Sequence, residues 1–474
     1  MKIKIGSEIE ITDPTLAVLE YCQSHLIVRN PEYVQKLKMG KWLGDTPEFF
    51  QLYSRTADVL TLPFGCYLDL WKLQKEAEWI NAMVSMGSIL FPNRISLYPY
   101  QEKAKLLLIS NGGICVMPCG SGKTQTALSA IASLGKPTLW ITHTSDLLHQ
   151  SMKRAKELYD LPADAFGTIT SGKIDIGKNI TFATVQTLCK IDLEKYRNTW
   201  GTIVVDECHH AIGAPTRVMM FYFVLNKLSA RYKIGITATP ERADGLEKAM
   251  CALLGNIVVT IPKSAVQGST VPVRVVSVRT PYTPTTEEIT GPDGTIDYSK
   301  AQNILATTKV RQEMVCRNII MLSDPEMLNK SVLILADRII HLELMENFCD
   351  GFEQSALICG STPKAQREKA ISDLCSGKIK RLFATYQLAR EGLDIPTLDC
   401  VVFASPRKDA ATIVQAAGRC GRRVEGKRQG VVMDFVDGGP LYLKMSAERK
   451  RVYKKNDMEI IESKDGYIDL GIFE

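Results

Sequence analysis

The stretch Met117-Pro118-Cys119-Gly120-Ser121-Gly122-Lys123-Thr124 constrains this chain more than any other. It follows an apolar run at 113–117 and leads into a helix-forming run at 125–133. A strand that breaks into glycines and reopens as a helix is the local setting of a phosphate-binding loop. Gly120 and Gly122 carry no Cβ, so backbone N–H groups can turn toward phosphate oxygens, and the helix N-terminus adds partial positive charge. Pro118, Cys119, Gly120, Ser121 and Gly122 are the expected cradle. Lys123 would reach the β- and γ-phosphates of ATP, and the Thr124 hydroxyl would bind Mg²⁺. The first glycine usual in such loops is Met117 here.

A second stretch supplies the partner such a loop needs. Ile203-Val204-Val205-Asp206-Glu207-Cys208-His209-His210 is an apolar strand ending in two carboxylates. Asp206 is expected to hold Mg²⁺, partly through water, and Glu207 to orient and deprotonate an attacking water. Adjacent histidines on an extended chain point opposite ways. One of them linking nucleotide state to neighbouring residues is therefore a better reading than zinc ligation.

The surrounding pattern extends these two motifs into a fold. From residue 97, short apolar runs at 113–117, 138–142, 180–183, 202–205 and 232–237 alternate with helical stretches. That alternation predicts a parallel sheet covered by helices, with ligands at the strands' carboxyl ends. The rhythm breaks after Ile261. A strand at 271–278 and an exposed loop at 281–298 are expected. A second series then follows at 331–336, 355–358, 379–385, 399–404 and 430–435. Two α/β domains in series, 96–262 and 263–474, with a hinge near residue 262, are the economical architecture.

Residues 1–95 read as a separate α+β unit. One strand is expected at 3–11 and a helix at 14–27 capped by Asp13. A short helix should open at Asn30-Pro31-Glu32, with strands at 49–62 and an amphipathic helix at 67–84. Carboxylates slightly outnumber cations there, but Lys36, Lys38 and Lys41 cluster beside Trp42. The cluster reads either as a solvated helix face or as a duplex-backbone contact with a stacking aromatic.

Composition sets the limits. A chain of 474 residues holds two to four domains of roughly 100–200 residues. Its 58 Lys+Arg against 52 Asp+Glu give a formal charge of +6, which allows a polyanionic partner without establishing one. The 13 cysteines form no CxxC pair, and Cys115 and Cys119 have no second pair to complete a zinc set. Reduced thiols are expected. The start, Met1-Lys2-Ile3-Lys4-Ile5, is too polar for a signal peptide, and no apolar run approaches the roughly 20 residues that span a bilayer. A cytoplasmic protein without a membrane partner is the expectation.

Further short motifs complete the set, in order: Tyr98-Pro99-Tyr100-Gln101, Ile141-Thr142-His143-Thr144, Ala183-Thr184-Val185-Gln186-Thr187 and Thr237-Ala238-Thr239-Pro240 in the first half. The second half carries Leu335-Ala336-Asp337-Arg338, Ala384-Thr385, Glu391-Gly392-Leu393-Asp394 and the segment from Gln415 through Gly418, Arg419, Gly421 and Arg422 to Arg423. Together they resemble the superfamily 2 helicase core of the DExH type. The likeness is to the XPB-like and UvsW-like branch, which includes small tailed-phage helicases that remodel branched DNA. The resemblance covers roughly residues 97–437.

The resemblance implies two tandem RecA-like parallel-sheet domains, an ATP-binding first and a helicase C-terminal second, preceded by a small α+β N-terminal domain. Gln101 would read the adenine edge, although Tyr98 stands where relatives often carry Arg. Thr142, His143, Thr184 and Gln186, with Arg338 and Thr385, would touch the sugar-phosphate backbone, which positions a strand without reading it. Thr237 to Thr239 would couple ATP state to grip. Gly392 and Asp394 would face the nucleotide from the second domain. The 415–423 segment would start a helix presenting Arg422 as arginine finger, with Arg419 beside it and Gln415 near the γ-phosphate or the attacking water.

The implied activity is an ATP-dependent DNA helicase or translocase moving 3′ to 5′. It would unwind or branch-migrate forks and junctions in replication, recombination or repair. A single strand would run in the motor channel and duplex or junction DNA would meet the N-terminal domain of a monomer. An RNA helicase, a duplex translocase that separates no strands, and a nucleotide-gated binding module are the alternatives. Lys444, Arg449, Lys450, Arg451, Lys454 and Lys455 face only Glu448 as countercharge. They read equally as a solvated helix or a nucleic-acid contact.

Overall fold

Three strands of the first α/β series, Thr138–Thr142, Ile180–Thr184 and Thr202–Asp206, are buried at every position. Continuous rather than alternating burial means both faces are covered, the mark of a parallel sheet between helix layers. The computed structural model describes every residue except 41, 119, 171, 210–214, 239–246, 267–269, 293, 350–354, 394, 408 and 474, and the side chains at 35, 38, 215–218, 390–392 and 411. It divides the chain into two compact units, Met1–Val266 and Gln267–Glu474.

In the first unit the sheet runs Lys173–Asp175, Phe166–Thr170, Ile180–Thr184, Thr138–Thr142, Thr202–Asp206, Tyr232–Thr237, Gly113–Val116, Ile257–Thr260. The pairings are parallel apart from the edge hairpin of Phe166–Thr170 with Lys173–Asp175. Parallel register puts the ends of Gly113–Val116, Thr138–Thr142, Ile180–Thr184, Thr202–Asp206 and Tyr232–Thr237 at one edge, where the motifs collect.

The N-terminal region has its own sheet in the order Ser54–Thr56, Val59–Pro63, Glu8–Thr12, Lys2–Ile5, Glu78–Asn81. Residues 3–11 are two strands rather than one. Gly6 and Ser7 turn the chain so that Ile3 pairs with Ile11 and Ile5 with Ile9, all four buried. The first helix is Leu16–His25, with Thr15 at its N-cap, while Asp13 adopts φ 55° outside it. The expected long helix at 67–84 stops as Tyr67–Leu73, because Glu78–Asn81 pairs in parallel with Lys2–Ile5 instead. Sheet pairing with a distant strand overrides helical periodicity. Pro31–Lys38 is a helix as expected, with the Glu32 N–H donating to Asn30 Oδ1. Lys36 pairs with Glu32 at 2.8 Å, and Trp42 is 89% exposed.

This region shares a hydrophobic core with the eight-stranded sheet: Ile9, Leu62, Cys66 and Leu70 join one buried cluster with Val205, Phe221 and Leu253. Gly65 permits the contact, since a Cβ there would lie 2.4 Å from the carbonyl oxygens of Cys251 and Ala252. Buried Lys233 donates to Leu225 O at 2.6 Å and to Ser7 O at 3.3 Å, and Asn256 donates to Asp69 at 2.8 Å.

The second unit carries a parallel sheet in the order Ser355–Ile358, Arg381–Thr385, Val332–Ala336, Cys400–Phe403, Gly430–Val436, Val273–Arg279, Glu459–Glu462. The 281–298 stretch is not simply an exposed loop. It contains the helix Thr286–Ile289 with a Thr285/Glu288 capping box, and Tyr282 and Ile289 are buried with Leu305 and Tyr442. Helix Pro440–Lys455 corrects the basic-patch reading in part. Arg449 is buried and forms an ion pair with Asp434 at 2.9 Å, so it belongs to the interior. Among the described residues no helix is long and apolar enough to cross a membrane.

Candidate active site

The glycine-rich loop connects strand Gly113–Val116 to helix Lys123–Leu134. Gly120 and Gly122 have φ of 78° and 80°, a region that side chains with a Cβ rarely adopt. Gly122 is the N-cap residue. Ser121 closes the turn on itself, its hydroxyl donating to Pro118 O at 2.6 Å and its N–H to the same oxygen at 3.2 Å. The helix N-terminus therefore begins at Lys123 and Thr124 with its N–H groups unspent within the helix, a setting for anionic oxygens. Cys119 lies outside the described residues.

Gln101 ties the preceding helix, Pro99–Asn111, to this loop. Its Oε1 accepts from the Tyr98 N–H at 2.9 Å, and its Nε2 donates to Ser121 O at 2.8 Å. Tyr100 donates to the same carbonyl at 3.1 Å. A Cβ on Gly122 would lie 2.4 Å from Gln101 Nε2, so a side chain there would push the Gln101 amide away from Ser121 O. Gln101 thus caps its own helix with one end of its amide and braces the loop with the other, a role that the motif alone did not indicate.

Strand Thr202–Asp206 brings the carboxylates to the same edge. Glu207 has φ 47°, so the chain turns sharply after Asp206 and sends the two carboxylates to different partners. Glu207 Oε1 lies 3.6 Å from Lys123 Nζ, and its Oε2 lies 3.4 Å from His209 Nδ1. His209 Nδ1 also sits 2.8 Å from Thr237 Oγ1, at the end of strand Tyr232–Thr237. His209 therefore connects Glu207 to Thr237, through contacts to neighbouring residues of the kind expected of one histidine. His210, Thr239 and Pro240 lie outside the described residues. Asp206 takes a different partner, accepting from Ser151 Oγ at 2.9 Å.

Electrostatics separates the two acids. Burial raises the Asp206 carboxyl, and the neighbouring Glu207 charge raises it further. Burial also acts upward on Glu207, but Lys123, His209 and His143 beside it outweigh burial and hold its carboxyl below the usual carboxylate range. The lowered carboxyl favours the ionised form of Glu207. The donor set suits a hard divalent cation: the Asp206 carboxylate and the Thr124 hydroxyl are oxygen ligands of the kind Mg²⁺ prefers.

The expected strand-tracking residues are largely occupied inside the fold. Thr142 is fully buried and donates to Thr144 O at 2.9 Å. Thr184 is the N-cap of helix Val185–Leu188 and bonds Thr187 Oγ1 at 2.9 Å. Gln186 donates to the His143 carbonyl at 2.9 Å, joining the two motifs, and His143 is 8% exposed.

In the second unit, Arg338 donates to Ser299 Oγ at 2.5 Å, and Thr385 caps helix Tyr386–Gly392 by accepting from the Leu388 N–H at 3.4 Å. Gly392 ends that helix, and Asp394 lies outside the described residues. The 415–423 segment does not start a helix. Gln415 and Arg419 lie within helix Ala410–Cys420, capped at its start by Asp409, and Arg422 follows its end, bridged to Thr270. Arg419 donates to the carbonyls of Leu393 and Ala389, so it fastens its helix to Tyr386–Gly392 rather than standing open beside Arg422.

Ser151 was not legible as a site residue by motif. Its signal is subtler: with Leu148 and Ala155 it lies on the buried face of helix Ser145–Leu158. A hydroxyl on an apolar stripe needs a buried partner.

Two family models match parts of this chain. Residues 94–242 match the family described as type III restriction enzyme, res subunit, and residues 312–424 match the helicase conserved C-terminal domain. "Probable helicase D10" of Escherichia phage T5 is 26% identical over 346 residues, covering 72% of this chain and 71% of that one. L396 of Acanthamoeba polyphaga mimivirus, named as an ATP-dependent RNA helicase, is 26% identical, covering 77% of this chain and 69% of its own length. The DNA 3'-5' translocase XPB2 of Sulfurisphaera tokodaii is 33% identical over 196 residues, covering 40% of this chain and 42% of that one.

Proposed function

We propose that this chain, which belongs to the superfamily 2 helicases, is a DNA motor moving 3′ to 5′ that unwinds or branch-migrates forks and junctions. Its two matched regions make it an ATP-dependent helicase. The Lys123–Glu207 approach of 3.6 Å carries the catalytic part of the reading, because it joins the phosphate loop to the ionised base within one unit.

Lys123 binds and orients the phosphates, and Glu207 takes a proton from the attacking water. Mg²⁺, held by Thr124 and Asp206, would supply charge neutralisation on the phosphates when bound. His209 and Thr237 carry the change at Glu207 onward to the coupling motif. Arg422 and Gln415 are assigned to the same hydrolysis by their motif. Residues 96–262 and 263–474 act as the two motor domains, and 1–95 meets duplex or junction DNA. Movement follows if each motor domain grips the strand differently with and without ATP.

The XPB-named relative favours DNA and 3′-to-5′ polarity, and the mimivirus relative's name favours RNA as the second reading. One experiment decides: ATP turnover titrated against single-stranded, duplex, forked and four-way DNA, with single-stranded and duplex RNA as comparators. Stimulation by DNA, strongest with forks or four-way junctions and absent with RNA, is expected. Stimulation by RNA alone overturns the DNA reading.

A further inference from the structure

Serines inside helices usually satisfy their hydroxyl on the preceding turn. Ser110, Ser133 and Ser323 do so, donating to the carbonyls of Leu106, Ser129 and Ile319 at 2.7–3.1 Å. Ser151 has the same option in helix Ser145–Leu158 and takes another. Its Oγ donates to Asp206 Oδ2 at 2.9 Å across 55 positions of sequence, with Ser151 3% and Asp206 6% exposed. The bond links the helix after strand Thr138–Thr142 to the end of the neighbouring strand Thr202–Asp206. Glu207, one residue on, is held by Lys123 and His209 instead. Adjacent carboxylates are thus fixed by separate elements.

We propose that Ser151 is a positioning residue for the nucleotide's divalent cation, holding one oxygen of Asp206 so that the other stays committed to the metal and its waters. The inference rests on the ATP-site reading above and deepens it. A carboxylate's terminal torsion is broad, so an unheld Asp206 samples orientations that a metal-bound geometry excludes. A hydroxyl donor removes that freedom before the metal arrives. Outer partners of this kind orient metal ligands, and their loss costs about 10–100-fold in metal affinity. Ser151 touches neither nucleotide nor reacting atoms in this scheme. Its effect passes through Asp206.

The test uses the full chain, a fluorescent ADP analogue and a Mg²⁺ titration. Ser151→Ala, which removes one oxygen and adds no bulk, should raise the Mg²⁺ concentration for half-maximal nucleotide binding about tenfold, the lower end of that range. Nucleotide affinity without metal should stay at the wild-type value, the thermal midpoint should fall by no more than the loss of one buried hydrogen bond, and Ser151→Thr should restore the Mg²⁺ dependence. In an Asp206→Ala background, Ser151→Ala should add nothing, because the path through Asp206 is already gone. An unshifted Mg²⁺ half-point in Ser151→Ala, or a further shift in the Asp206→Ala background, overturns the inference alone. A wild-type chain that binds no nucleotide overturns the ATP-site reading and this inference with it.

Discussion

Lys123 Nζ and Glu207 Oε1 stand 3.6 Å apart, one at the start of the helix after the glycine loop and the other one residue past a buried strand. The pair lies in the first unit and joins two motifs separated by 84 positions (207 − 123). The lysine keeps the carboxylate ionised while ATP is absent, and the phosphates would compete for the same ammonium. In the proposed mechanism, Glu207 would then be released to the attacking water.

Glu207→Gln preserves shape and removes the base. ATP turnover should fall by about 10²–10⁴-fold, the usual worth of a positioned general base. Equilibrium binding of ATP should persist and tighten slightly, since Lys123 loses a competitor. Wild-type turnover in this variant would remove Glu207 from its role.

Arg419 and Arg422 should separate by readout. Arg419 is buried and donates to two backbone carbonyls, so Arg419→Ala should lower the thermal midpoint of the chain. Arg422→Ala should leave stability near wild type and reduce kcat by about 10³-fold or more with little change in ATP affinity, as loss of an arginine finger does. A kcat loss confined to Arg419→Ala would reverse the assignment.

Arg449 lies within the basic run of the C-terminal helix but pairs with Asp434, both 1% exposed. Removing one partner of a buried pair strands the other charge. Arg449→Ala should therefore cost about 3–5 kcal/mol of stability by denaturant titration. Lys454→Ala, on the same helix, should leave stability unchanged. Equal stabilities in the two variants would mean that Arg449 is not the internal brace.

Lys233 provides a pH signature. Burial lowers its ammonium from the ordinary range to about 7. For a cation with a depressed folded-state value, the unfolded chain binds more protons between about pH 7 and the ordinary lysine range near 10.4. Stability from this group must then rise with pH through that window, and below about 7 its full desolvation cost remains. The thermal midpoint should climb between pH 7 and 9, and Lys233→Met should flatten that climb. An equal slope in the variant would show that the lysine ionises as it does in the unfolded chain.

The sequence alone determined the parts of this protein whose information is local. A loop needing positive φ at Gly120 and Gly122, a strand ending in Asp206-Glu207, and apolar runs buried on both faces are each written in contiguous residues. Their order suffices to name the superfamily and the parallel-sheet class. The tertiary structure decided what depends on distant partners. Residues 78–81 carry a helical pattern, yet they add a strand beside Lys2–Ile5. Arg449 reads as part of a charged face until Asp434 meets it in the interior. Gln101 braces Ser121, and Ser151, silent in every motif, holds Asp206. Periodicity and motif spacing record what a residue's near neighbours require. A hydrogen bond across 55 positions is set by which strands lie side by side, and only the folded sheet fixes that.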